Sequence, residues 1–339
     1  MNRPQTRKIF AGIAAGAMLL AGCAGETQDQ SSTATSDAAG EAPVEMTFTG
    51  AGNLSWLNVF VAHEEGIFAD HGIQSNVRLF DVGFLGTEAV MAGEAHTAGS
   101  VEFPLLNVLA QGADLVVPAV VVTADDQRIV VDSSIESPAD LRGKRIGLIA
   151  GSAFEYAFVQ YLEEHGVPVD EVEFVNVDAA EQVAVLARGD IDGFLNVEPV
   201  VGRALNEFGD QVRLLEPGID TVYSTRIHLQ MGREWVEANP EAVQATLRAL
   251  IEANEFIEAN RDRAVEIGAE YVNMEIEEVS DFLDDANFRY DVYWNDEAAA
   301  AVDSIGGWLV EQGRFDEVPK IDSFVVLDHL EAVAPDQAS

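Results

Sequence analysis

Apolar and polar positions alternate over residues 46–50 (MTFTG), the two-residue period of a strand with one buried face. The period then lengthens. Residues 56–65 read as a helix ended by Gly66, residues 76–82 as a second strand, and Gly83 and Gly86 lead into a helix over 87–92. A strand at 96–100 follows. Pro104 opens the next helix, which ends near Gly112, and residues 115–122 form a continuous apolar strand. Strands alternating with helices predict an α/β fold with a parallel-rich sheet covered on both faces. Beyond the carboxyl ends of such strands backbone amides converge and side chains leave a crevice. Residues 52–56, 84–86 and 100–102, with Thr123, fall on that rim.

After Asp125 and Asp126 the pattern restarts, with strands at 128–131, 144–149, 172–177, 191–195 and 212–215 and helices between them. The rim of this second unit comprises residues 151–155, Asp178 and residues 196–199. A strand over 223–231 is placed to cross back. Two crossings, near 124–127 and 218–224, predict a two-segment hinge joining a discontinuous domain (45–125 with 224–335) to an inserted one (126–223). From Arg233 onward the chain reads as helical, over 240–259, 261–271, 276–284 and 297–312. Ala242, Ala245, Leu247, Leu250, Ile251 and Phe256 make an apolar stripe expected to pack on the first domain. Trp308 and Phe315 read as core anchors, and the tail after Pro335 as loose.

Residues 137–167 carry the most local information. Ser137 and Pro138 read as an N-cap and first helical residue of a single turn ended by Gly143. Residues 144–149 form a buried strand. Gly151 and Ser152 then open an amphipathic helix with Phe154, Phe158, Tyr161 and Leu162 at helical spacing. A strand passing through a Gly-Ser turn into a helix leaves free N–H groups, a site for an anion or polar head group. Ser152 can equally do no more than cap its helix.

The segment DLRGKRIGLIAGSAFEYAFVQYLEEHGV resembles the second-domain entry of the nitrate/sulfonate/taurine and thiamine-pyrimidine-precursor group of periplasmic binding proteins, the solute receptors of ABC importers. VAHEEGIFADHGI (61–73), MAGEAHTAGSVEFPLLNVLAQGADL (91–115) and VAVLARGDIDGFLNVEP (183–199) resemble further units of that family in the same order. The likeness runs over roughly residues 46–208. It implies a periplasmic-binding-protein type II-like fold of two α/β domains, no catalysis, no cofactor, a small-molecule solute held between the domains, and an ABC permease as partner. A monomer is expected. Two other classes stay open: a pyrimidine-synthase-like enzyme on the same fold, which would use a cysteine-rich segment, and a surface ligand sensor.

Composition adds the location. Arg3, Arg7 and Lys8 precede an apolar run over 9–21, shorter than the roughly 20 residues of a membrane span. Leu20-Ala21-Gly22-Cys23 resembles a bacterial lipobox, whose cysteine is lipidated, so the chain is expected to be exported and anchored at Cys23 after loss of residues 1–22. Cys23 is the only cysteine, which excludes disulfides and cysteine nucleophiles from the rest of the chain. Residues 24–42 lack aromatics and read as a disordered tether. The formal net charge is −40, from 59 acidic and 19 basic residues, so nucleic acid and anionic membranes are poor partners. The acids are dispersed, as on a solvated surface suited to high salt.

The candidate ligand contacts are Asn53, Trp56, Phe84, Ser100, Glu102 and Thr123 on the first rim, Ser152, Phe154, Glu155, Asn196 and Glu198 on the second, and Tyr223 at the return crossing. Each has a structural alternative. Trp56 can be a pocket wall or the first core residue of its helix. Glu102 and Glu155 sit where a helix dipole favours a carboxylate with or without a ligand. The six histidines are scattered without zinc spacing, and neither a Gly-x-Ser-x-Gly elbow nor a Walker loop occurs. The rims carry Glu102, Glu155, Asp192 and Glu198 but few bases, with Arg226 and His228 the nearest. An anion would then rest on the 151–153 amides; a basic or amide nitrogen would instead donate to a carboxylate.

Overall fold

The computed structural model describes residues 42–80 and 83–338. The leader, Cys23 and most of the tether lie outside the described residues. Among those described, no helix is long and apolar enough to cross a membrane.

The chain builds two five-stranded sheets. The first begins with β1 (Val44–Ala51), followed by helices α1 (Leu57–Glu64) and α2 (Ile67–Asp70). It continues through β2 (Ile73–Phe80), α3 (Gly83–Met91), β3 (Thr97–Ser100), α4 (Glu102–Ala110) and β4 (Leu115–Ala124). The second contains β5 (Arg128–Asp132), β6 (Arg145–Leu148), α5 (Ala153–Glu164), β7 (Glu173–Asn176), α6 (Gln182–Ala187), β8 (Gly193–Asn196), α7 (Val200–Phe208) and β9 (Val212–Leu214). The chain then returns as β10 (Thr225–Gly232) and finishes with α8 (Arg233–Ala238), α9 (Pro240–Ala259), α10 (Arg261–Val272), α11 (Ile276–Asp285), α12 (Asp296–Glu311) and α13 (Asp328–Val333).

The strand orders are β2-β1-β3-β10-β4 and β7-β6-β8-β5-β9. Neither sheet is wholly parallel. β10 runs antiparallel between β3 and β4, and β5 antiparallel to both β8 and β9. The reversed strands are the two that follow the crossings, so each enters its sheet from the opposite side. All ten residues of β4 are buried, which explains its continuous apolar sequence. Pro118 sits where the β4–β10 register shifts, so its missing N–H breaks no regular ladder.

The crossings are tied to each other. The Ser224 hydroxyl donates to Asp125 at 2.6 Å, and the Thr225 hydroxyl to Asp126 at 2.6 Å.

The C-terminal part covers the first sheet as its stripe predicts, with Ala242, Leu247 and Leu250 buried and α9 against α1, α2 and β2. Ala245, Ile251 and Phe256 are half-buried against the same core. Trp308 packs between Phe103 and Tyr156, with both ring centroids 5.7 Å away. Two expectations fail here. Residues after Arg233 are not helical throughout: Arg289, Tyr293 and Val325 pair with the outer edge of β4. Nor is the tail loose, because the Trp294 N–H donates to the Gln337 carbonyl at 2.9 Å and residue 338 bridges Trp294. Backbone pairing orders a segment whose side chains announce nothing.

Candidate functional site

A cavity of about 640 Å³ lies beyond the carboxyl ends of β1, β3, β6 and β8, with residues of both sheets in its wall. On the first side, the Asn53 side chain accepts the Ser55 N–H at 3.1 Å and caps the turn Leu54–Trp56. That turn seats Trp56, whose indole lies over Gly50 and Gly99. A Cβ at Gly50 would stand 2.9 Å from the indole Nε1, so glycine is required there by close approach. Trp56 is 1% exposed and its Nε1 has no acceptor. Both readings of this residue hold, since it is core and cavity wall together. Ser100 and Phe84 also line the cavity, Phe84 with 39% of its surface exposed.

On the second side, Gly151 turns with φ +71° and Ser152 caps α5. The Ser152 hydroxyl donates to the Ile149 carbonyl at 2.6 Å and accepts the Phe154 N–H at 3.2 Å. Ser137 is the N-cap expected, and Asp140 closes a capping box with it. Asn196 donates to Gln182 at 2.7 Å and accepts the Val197 N–H at 2.8 Å, so its amide shapes the loop after β8. Glu198 accepts the Gly202 N–H at 2.9 Å, and burial raises its carboxyl above the usual range.

Eight of the twelve candidates therefore meet in one cavity: Asn53, Trp56, Phe84, Ser100, Ser152, Phe154, Asn196 and Glu198. Four lie outside its wall. Glu155 turns back to accept the Gly151 N–H, taking one of the 151–153 amides that an anion would use. Thr123 bonds the Tyr293 hydroxyl at 2.7 Å. Glu102 is fully buried at the start of α4 with neither oxygen hydrogen-bonded, and burial pushes its pKa to about 7 against the pull of Arg226. Tyr223 is likewise buried with an unpartnered hydroxyl, and burial raises its pKa. The strand-end rule locates a rim but not the direction in which each side chain leaves it.

The two expected bases are also elsewhere. Arg226 is 7% exposed and pairs with Glu297, and His228 is fully buried, its pKa lowered to about 3 by desolvation. Neither lines the cavity. Sequence reasoning missed Asp126, Gln127, Thr225 and Ile227, which wall it at the crossings. The adjacent acids Asp125 and Asp126 were the available signal, read only as a domain boundary. Among the described lining residues the charged ones are Asp126 and Glu198, with no lysine, arginine or histidine. No group of acids, histidines or cysteines among the described residues is arranged to hold a metal.

Strand ends of both α/β sheets, linked by paired crossings, thus line one cleft. Residues 53–264 match the NMT1/THI5-like family, to which this chain belongs. A binding protein of Brucella abortus is 27% identical over 216 residues, 63% of this chain and 67% of the relative. The taurine-binding periplasmic protein of Escherichia coli is 28% identical over 210 residues, 60% of this chain and 63% of the relative. Among solved structures, the periplasmic aliphatic sulphonate binding protein SsuA of Escherichia coli superposes with a TM-score of 0.72 at 19% identity, covering 83% of this chain and 96% of SsuA. The desulfurization enzyme DszB shares the fold, with a TM-score of 0.68 at 19% identity over 86% of this chain and 99% of DszB. The periplasmic-binding-protein type II fold is thereby shown.

Proposed function

We propose that this protein is the extracytoplasmic solute receptor of an ABC importer, anchored outside the membrane through a lipid on Cys23. It takes up a small organic solute in the cleft. Residues 45–125 with 224–335, and residues 126–223, act as two domains that close on it about the crossings. The observation that carries this reading is the shared wall: Trp56 and Ser100 from one sheet face the same space as Ser152 and Asn196 from the other. A ligand touching both sides favours the closed state by the contacts it gains there. Taurine and aliphatic sulfonates are what two of the relatives are named for, and the chemistry of this wall decides whether they fit here.

The DszB likeness raises an enzyme on the same fold as the alternative. Residues 24–339 contain no cysteine, which removes that nucleophile, and no metal cluster occurs among the described residues. The receptor reading therefore has the better support. Small-angle scattering tests it. A solute recovered by native mass spectrometry from mildly purified protein should shrink the radius of gyration on re-addition. A bound solute consumed on incubation would instead favour the enzyme.

A further inference from the structure

The charge on the cavity wall is the wrong sign for the sulfonate group of the compounds that relatives are named for. Asp126 and Glu198 are its charged groups among the described residues, and both are desolvated. Of the 151–153 amides at the start of α5, that of Gly151 already donates to Glu155. A sulfonate entering here would meet two carboxylates and no cation in the wall itself, the nearby Arg128 already facing both acids.

Acids alone do not make a site, but a second observation points the same way. Gln127, adjacent to Asp126 on the wall, is 4% exposed and its Oε1 has no hydrogen-bond donor. A buried acceptor left without a donor costs free energy that an incoming N–H removes. The rest of the wall is apolar and aromatic, with Trp56, Phe84, Phe103 and Phe154.

Resting on the receptor reading, we infer that the solute is an organic cation: an apolar or aromatic body bearing a protonated amine-type nitrogen, whose N–H groups donate to Asp126, Gln127 and Glu198. The sign of its pH dependence follows. Asp126 faces the Thr225 hydroxyl, Arg128, Asp125, Tyr223 and Tyr290; Glu198 faces Arg128, Glu278 and the Gly202 amide. Burial is the largest influence on both and holds their protons on to higher pH, to about 6 for Asp126. A cation binds the ionised carboxylates, so affinity is full above that range and falls as pH drops through it. An anion would bind more tightly as pH drops.

The experiment uses a matched pair, benzylammonium and benzylsulfonate, titrated by calorimetry and thermal shift from pH 8 to pH 5. The ammonium should stabilise the protein and weaken toward pH 5, and Glu198→Gln should reduce its affinity about tenfold or more. Gln127→Leu is the second variant, since Asp126→Asn disturbs the Thr225 bond inside the crossing. Stabilisation by the sulfonate but not the ammonium, tighter ammonium binding at low pH, or binding of neither head group overturns the inference. An anionic solute recovered by native mass spectrometry overturns it too, while leaving the receptor reading standing. Absence of any solute-dependent compaction overturns the receptor reading instead.

Discussion

The six-membered ring of Trp56 lies against the bare Cα of Gly99, so that a Cβ there would stand 2.8 Å from Cε3 and closer still to Cζ3 and Cη2. Gly99 belongs to β3 and is packed on its other neighbours as well, so the ring, not the strand, must yield. Gly99→Ala should destabilise the fold by about 1–3 kcal/mol, as overpacked cores do. It should also shift the emission of one of the four tryptophans, because Trp56 would be displaced into the cavity. Urea denaturation and fluorescence check both; an unchanged stability and spectrum would mean the backbone absorbs the methyl.

This contact shows what the sequence could and could not disclose. Asn53-Leu54-Ser55-Trp56 announced a capped turn after a strand, and the turn is there. Nothing local says that the indole crosses two strands to reach Gly50 and Gly99, since that depends on the β1–β3 pairing. The same division runs through the site. Rims follow from strand ends, a local property. Whether Glu102 points into the cleft or into the core behind it depends on how α4 meets β10, a segment far along the chain that neither pattern nor composition links to it. Helices such as α9, long and strongly striped, fell on their expected bounds, Pro240–Ala259. The tail did not, because backbone pairing to Trp294 leaves no side-chain signature.

Glu102 should give the protein a pH-dependent weakness. Its folded pKa is raised to about 7 from 4.5, chiefly by burial, so the folded state holds the proton more tightly than the unfolded one. The stability it contributes is present in full below pH 4.5 and is lost as pH rises through about 7, on the order of 3 kcal/mol in all. Glu102→Gln should abolish that loss and melt higher than the parent at pH 8, with little difference at pH 4. Paired melts across this range decide it, and a variant less stable at both ends would show that the carboxylate is held by Arg226 more strongly than burial opposes it.

The Ser224–Asp125 bond is the clearest tie between the two crossings. Asp125 also accepts from Asn287 at 2.8 Å and Arg289 at 3.4 Å, so it stays partnered when one donor goes. Ser224→Ala should therefore cost only about 1 kcal/mol of stability. Its larger effect should be on motion. Hydrogen exchange at residues 124–127 should speed up, and the unliganded protein should scatter with a broader size distribution. Exchange unchanged at both crossings would show that they are held by Thr225 and Asp126 instead.

A net charge of −40 repels itself, and salt screens it. The melting temperature should climb from dilute buffer to molar NaCl, where the Debye length falls to about 3 Å. The ten basic residues seen in ion pairs among the described residues are outnumbered by the 59 acids of the chain, so local compensation is incomplete. A flat profile would show that the dispersed acids already lie far enough apart to ignore one another.

Closure makes the strongest demand on the structure, because it requires that each wall matter separately. Trp56 and Phe154 face the cavity from opposite sheets, and neither is hydrogen-bonded through its side chain. Phe154→Ala removes an apolar contact on the second side without touching the Ser152 cap, whose partner is the Phe154 backbone N–H. Losing the buried part of such a ring costs roughly 1.5–3 kcal/mol of ligand contact, about ten- to a hundredfold in affinity. The effect on closure should exceed the effect on first encounter. Contacts on one side alone hold the solute equally well in open and closed states and shift nothing; only contacts from the second side reward closing. Phe154→Ala should therefore weaken binding and also leave the liganded protein with the larger radius of gyration of the open state. Trp56→Ala should do the same from the other wall, at a greater cost in stability because its ring is also core. If affinity falls while compaction persists in both variants, the solute is held by one wall and the sheets close for another reason.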